Sequence, residues 1–383
     1  NTFTWIFIGN RIVKNAQDFF GESSFGVLSL ILVFPLSIII ATLASSAFTS
    51  SFSGKKVLLT WLILGTLSSM LSGFLLEDPL LALLLTFFMG FSLGFGLPSC
   101  FAYFSDVTRI EKRGKLGGIT FLLVTLTVAP IVSATSNVGT AVNTVFFTLW
   151  RAWMIPILIL MGKDYSYLRG ESTSFKRIFG ERTLMLYFVA WLMFSLVDGF
   201  EGLVLNNKLD KELFFMMTTI ESLIAGVAAA VGGLISDWGG RKRVVIFGFT
   251  SLGIAYGIIS IVQETTTISW LFYFLVDGIA LGLLWVIFVV VIWGDLAESS
   301  REKYFAIGVT PFFLSQMARP LFSSYAESID LQNAFSLAAF FLFIAVIPLL
   351  YAKETLPEKK IVEHQVRSYT REALKLKERV AER

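Results

Sequence analysis

Groups of polar residues interrupt otherwise apolar stretches of this 383-residue chain, and their spacing decides what chemistry they can do. Arg11, Lys14 and Asp18 stand three and four residues apart, so a helix puts them on one face with Asn15 beside them. Ser195, Asp198 and Glu201 form a second such face. Thr218 and Glu221 share a third stretch, Ser315, Gln316 and Arg319 a fourth, and Arg151 stands in a fifth. A carboxyl group held out of water favours its neutral form and can exchange a proton near neutral pH. Asp198 and Glu221 are therefore the first candidates for proton or cation coupling, Glu201 the next, and Asp18 aligns loosely with Asp198. Arg11, Lys14, Asn15, Gln316 and Arg319 suit an anionic group. The competing reading is mutual neutralisation of Arg11, Lys14, Arg151 and Arg319 by Asp18, Asp198, Glu201 and Glu221. In that reading Asp18 and Glu201 are solvated near helix ends, and Arg151 snorkels or pairs structurally.

Other chemistries lack their residues. One cysteine, Cys100, excludes an internal disulfide and a C-x-x-C site, and one histidine, His364, leaves no metal cluster. Gly90-Phe91-Ser92-Leu93-Gly94 fits the pattern of a hydrolase nucleophile turn, but it lies in a continuous apolar run with no strand before it. Gly54-Lys55-Lys56 lacks the Ser/Thr and upstream glycine of a phosphate loop. No enzyme activity, cofactor, metal or nucleic-acid partner is expected.

The elements that must position the charged groups are membrane spans. The chain is 55% hydrophobic and 15% charged, against about 25% charged residues in a soluble domain. Twelve segments are long and apolar enough to cross a bilayer as helices: 2–20, 25–50, 57–75, 79–105, 115–136, 141–162, 183–205, 213–236, 243–263, 268–294, 304–326 and 332–352. The first carries Arg11, Lys14 and Asp18 and is no signal-peptide core. Loops on one side hold Lys55, Lys56, Arg109, Lys112, Arg113, Arg182, Arg241, Lys242, Arg243, Arg301 and Lys303 among others, while those on the other hold only Lys208 and Lys211. This asymmetry predicts cytoplasmic N- and C-termini in a multi-pass protein of the cell membrane.

Two halves resemble each other. Gly90 and Gly94 match Gly278 and Gly282, Asp106 and Arg113 match Asp295 and Arg301, and Pro130 matches Pro320, each about 190 residues on. Between spans eight and nine lies Gly233-Leu234-Ile235-Ser236-Asp237-Trp238-Gly239-Gly240-Arg241-Lys242. This run resembles the G-x-x-x-D-R-x-G-R-[RK] loop signature of the major facilitator superfamily, with Trp238 in place of the usual arginine. A worn copy, Ala47 to Lys56, has Ser51 where the aspartate belongs.

The resemblance to prokaryotic members of that superfamily implies an all-α membrane fold of twelve helices in two six-helix pseudo-symmetric halves. Residues 1–162 would be the first bundle, 163–182 a cytoplasmic linker, 183–352 the second bundle and 353–383 a cytoplasmic tail. It implies a monomeric secondary transporter among membrane lipids, moving a small solute by alternating access coupled to protons or another coupling ion. It also implies a cytoplasmic gate of Gly233, Asp237, Gly240, Arg241 and Asp295. Gly233 would permit close helix packing, Gly240 a tight turn, and Arg241 would reach Asp295. Asp237 would face the N-terminus of a neighbouring helix such as span eleven, and the worn first copy leaves a matching Asp106 latch without its aspartate. The charged spans point to an anionic solute and proton coupling. A non-transporting subunit or receptor on the same fold, or a lipophilic-drug efflux pump, are the alternatives. In the tail, Val362, Val366, Tyr369, Ala373, Leu376 and Val380 predict an amphipathic helix.

Overall fold

A computed structural model describes residues 24–48, 54–72, 78–136, 138, 140–160, 173–262 and 264–357. The first expected span, with Arg11, Lys14, Asn15 and Asp18, lies outside the described residues, as do 49–53, 163–172 and the tail after 357.

The remaining expected spans coincide with helices. They are α1 (Ser24–Phe48), α2 (Gly54–Leu71), α3 (Pro79–Val107), α4 (Arg113–Ser136), α5 (Thr140–Ala152) with α6 (Met154–Leu160), and, after the short α7 (Phe175–Phe179), α8 (Arg182–Lys208), α9 (Lys211–Gly239), α10 (Arg241–Ile261), α11 (Thr267–Trp285) with α12 (Ile292–Leu296), α13 (Arg301–Ser328) and α14 (Leu331–Tyr351). Among the described residues, eight helices meet the length and apolarity of a membrane span. The sixth span is broken at Trp153 rather than continuous over 141–162. Pro156 has no N–H to offer the carbonyl of Ala152, which removes a helix hydrogen bond next to the break. A π-helical turn, Val286–Val291, joins α11 to α12.

Helix starts differ between the two ends of the bundle. At one end they carry their own acidic or hydroxyl caps. Asp78 accepts from Leu81 N at 2.9 Å, Asp210 from Glu212 N at 3.0 Å, Asp330 from Asn333 N at 2.7 Å, and Thr266 forms a capping box with Ser269. At the other, basic end, α4, α8, α10 and α13 begin with Arg113, Arg182, Arg241 and Arg301. A cation at a helix N-terminus opposes the helix dipole. Those starts need carboxylates from elsewhere, and the fold supplies them for α4 and α10.

Packing repeats between the halves. α1 lies against α3 as α9 lies against α11. A Cβ on Gly94 would strike the Ile38 carbonyl, and one on Gly282 the Ala225 carbonyl, so both copies of the paired glycines serve close helix contact. The halves meet along α4 with α9 and along α1 with α13. These interfaces are repeat-related, because spans two and eight, and five and eleven, are equivalent.

Candidate functional site

Two features occupy the seam between the halves: a cavity, and an ion-pair cluster that closes the basic end.

The cavity has a volume of about 530 Å³ and is walled by α3, α4, α8, α9, α11 and α13. Asp198, Glu201, Glu221, Asp277 and Arg319 line it. Asp198, Glu201, Glu221 and Arg319 lie on the side of their helix midpoints away from the basic end, and Asp277 stands at the middle of α11. The rest of the lining is largely aromatic and aliphatic, with Phe101, Phe121, Trp191, Phe274, Trp285 and Phe312 among it. Toward the basic end, Phe101 stacks on Phe305 across the halves at 5.4 Å, and Trp285 packs edge-on against Phe312 at 5.1 Å.

Within the cavity the acids have unequal partners. Tyr273 donates its hydroxyl to Glu201 Oε1 at 2.5 Å, and Asp277 Oδ2 lies 3.4 Å from the same Tyr273 hydroxyl. Arg319 runs alongside Gly199 and Gly202, and its charge acts on Asp198 and Glu201. Its Nη1 donates to Gln316 at 3.4 Å. Among the described residues, the charged groups closest to Glu221 are the acids Asp277, Glu201 and Asp198. Asp277 is 4% exposed, and its Oδ1 has no hydrogen-bond partner among the described residues.

The expected coupling residues Asp198, Glu201 and Glu221 thus come together at one cavity, with Arg319. Gln316 lines a second cavity of about 380 Å³, between α1 and α13 on the other side of Arg319. Glu201 is buried, not solvated at a helix end, because the Tyr273 hydroxyl holds it inside. Asp277 and Tyr273 were missed by sequence reasoning. Their signal was a lone carboxylate within the tenth apolar run, one turn after a tyrosine. Arg151 neither snorkels nor reaches water. It is fully buried over the Trp61 ring at 4.4 Å, with its guanidinium against Gly65, where any larger residue would displace it.

At the basic end, Asp237 sits at the C-terminal turn of α9 and accepts from Gly114 N at 2.9 Å and Lys115 N at 2.8 Å. It therefore caps α4, the fifth span, and not the eleventh. The correction follows from the packing: α9 crosses the seam against α4, while α13 pairs with α1. Gly233 and Gly114 pack backbone to backbone, and a Cβ on either would collide with the other's carbonyl. Gly240 takes φ of +98°, open to glycine at little cost.

Arg241 ties this cap to the rest. It bonds Asp237 Oδ1 at 2.5 Å, Asp295 Oδ2 at 3.1 Å and the Ile110 carbonyl at 2.7 Å. Asp295 also pairs with Arg113 of the first half, and Arg113 donates to the Ser105 carbonyl at 2.7 Å. Glu354, beyond α14, caps α10 by accepting from Arg241 N at 2.8 Å and Lys242 N at 3.1 Å. Asp106 pairs with Arg301, despite the worn signature in its half. The repeat-related acids and bases thus exchange partners across the seam: Asp106 with Arg301, Asp295 with Arg113.

Residues 183–380 match the family model described as Major Facilitator Superfamily. The chain belongs to the Major Facilitator Superfamily. Its fold is the superfamily's twelve helices in two halves, and it is a multi-pass membrane transporter of small molecules rather than an enzyme. Among solved structures, the E. coli fucose:proton symporter FucP is similar with a TM-score of 0.72 and 12% identity, over 92% of this chain and 96% of that one. The human organic anion transporter MFSD10 (TETRAN) is similar with a TM-score of 0.63 and 14% identity, over 89% of each chain. A search of curated proteins finds no match to the sequence.

Proposed function

We propose that this superfamily member is a proton-coupled secondary transporter working by alternating access, with the central cavity as its solute site. The observation that carries the reading is a cavity between the halves that holds four carboxyl groups while its basic end is shut by buried ion pairs across the seam. Residues 1–162 and 183–352 are the two moving bundles, 163–182 the linker and 353–383 the tail. The basic end faces the cytoplasm, with both termini, and the protein works as a monomer in the lipid of the cell membrane. Gly233, Asp237, Gly240, Arg241 and Asp295 form the gate that holds this end closed and releases in the other state.

Carboxyl groups out of water carry the coupling, since protonation removes a charge that costs several kcal/mol to bury. Asp198, Glu201 and Glu221 are assigned this role. The expected anionic solute rested on Arg11, Lys14, Asn15, Gln316 and Arg319; of the described members, Gln316 faces the second cavity, and Arg319 faces both cavities and the acids Asp198 and Glu201.

The test is uptake into proteoliposomes holding the purified protein, with an imposed pH gradient and a panel of anions, cations and neutral metabolites. Gradient-dependent accumulation is expected, and it is lost in Asp198→Asn or Glu221→Gln. Equal gradient-driven flux in both variants contradicts the coupling assignment.

A further inference from the structure

The cavity's charges are lopsided. Among the described residues that line it are four acids, Asp198, Glu201, Glu221 and Asp277, and one base, Arg319. Two of the acids have a counter-group: the Arg319 charge lies near Asp198 and Glu201 without closing an ion pair, and the Tyr273 hydroxyl donates to Glu201. Glu221 and Asp277 face acids, and among the described residues the hydroxyl hydrogen-bonded to Asp277 is that of Tyr273, already given to Glu201. Tyr256 stacks on Tyr273 at 5.6 Å and adds no positive charge. Asp277 is buried and Glu221 half-buried at the cavity wall, and carboxylates left this way take up protons or a cation.

A bare metal ion does not fit. Among the described residues, no three of His, Cys, Asp and Glu converge closely enough to hold one. The carboxyls are spread around a space of about 530 Å³ whose other walls are aromatic, with Phe214, Phe215, Phe274 and Trp285 on the same helices as Glu221 and Asp277. Aromatic faces attract cations, and their bulk suits an apolar body. The volume is that of an ordinary small-molecule pocket.

Resting on the transport reading above, we propose that the cavity binds an amphipathic organic cation, its charged centre between Glu221 and Asp277 and its apolar body against the aromatic wall. The solute and the protons then compete for the same carboxylates. Protonation of Glu221 and Asp277 removes the charge that holds the cation, so binding of one expels the other. Coupling is therefore exchange: cation moves one way and protons the other. An anion would instead need those groups protonated at the same time and would travel with the protons.

Tetraphenylphosphonium and tetraphenylborate test this, being alike in shape and opposite in charge. Binding to the purified full chain is read from quenching of tryptophan fluorescence, since Trp191 and Trp285 line the cavity. The cation is expected to bind at least about tenfold more tightly than the anion, and to weaken as pH falls. Asp277→Asn and Glu221→Gln should each weaken it by about tenfold or more. Arg319→Gln should strengthen it, a gain that a misfolded variant would not give. Tighter or equal binding of tetraphenylborate, or binding of neither ion, overturns the proposal. Gradient-driven flux of some other solute in the proteoliposome assay would leave the transport reading standing even then.

Discussion

At the basic end of the bundle, the two halves hold matched residues in unequal settings. In the second half, Asp295 and Arg241 have fully buried side chains, and Asp237 is nearly so. Arg241 bonds two carboxylates and a carbonyl from the first half, while Asp237 satisfies two backbone N–H groups of α4. The repeat-related pair Asp106–Arg301 is a single contact, with the side chains 20% and 34% exposed. Its half has Ser51 where the second half has Asp237. Exposed pairs contribute about 0–1 kcal/mol. Removing one partner of a buried pair costs about 3–5 kcal/mol, because the other charge stays buried and unanswered. A duplicated fold can therefore concentrate its closing energy in one copy of a signature and leave the other copy to drift.

That asymmetry ranks substitutions by burial rather than by place in the repeat. Asp237→Asn should have the largest effect, lowering initial uptake in proteoliposomes by about tenfold or more, since it leaves Arg241 and the start of α4 short of a carboxylate. Gly233→Val comes next. Its added carbons strike the Gly114 backbone, and overpacking of this kind costs about 1–3 kcal/mol; a drop in the thermal unfolding midpoint would register it. Glu354→Gln should be milder, since it loses charge but keeps an acceptor at the N-terminus of α10, worth about 0.3–1 kcal/mol. Asp106→Asn should be smallest, changing uptake by less than about fivefold. Should Asp106→Asn cost as much as Asp237→Asn, the two halves share the closing work equally and the burial argument fails.

Much of this arrangement could be read from the residues. Continuous apolar runs mark the spans, because the bilayer sets their length. The loop around Asp237 marks the ion-pair cluster at the basic end, and the placement of Arg241 and Asp295 at neighbouring span ends anticipates their ion pair. The partner helix could not be read. A repeat shows which residues are equivalent but not which pairs touch, and the pseudo-two-fold arrangement sends α9 to α4 rather than to α13. Glu201 looked solvated because position along a helix says nothing of the neighbour's hydroxyl, here Tyr273. Asp277 was overlooked for a related reason: one carboxylate barely dents a strongly apolar run, and the acids that share its cavity come from other helices. Arg151 gave no sign of its burial, since the Trp61 face that receives it lies three spans earlier in the chain.

The most direct test of alternating access gated by Asp237 is the distance across the basic end. Spin labels at Lys112→Cys in the first half and Arg243→Cys in the second, both exposed, in a Cys100→Ser background, would report it by pulsed electron resonance. The account predicts one short distance with Asp237 present and a second, longer population in Asp237→Asn, as the α4–α9 seam opens. Identical distance distributions in the two proteins would contradict it.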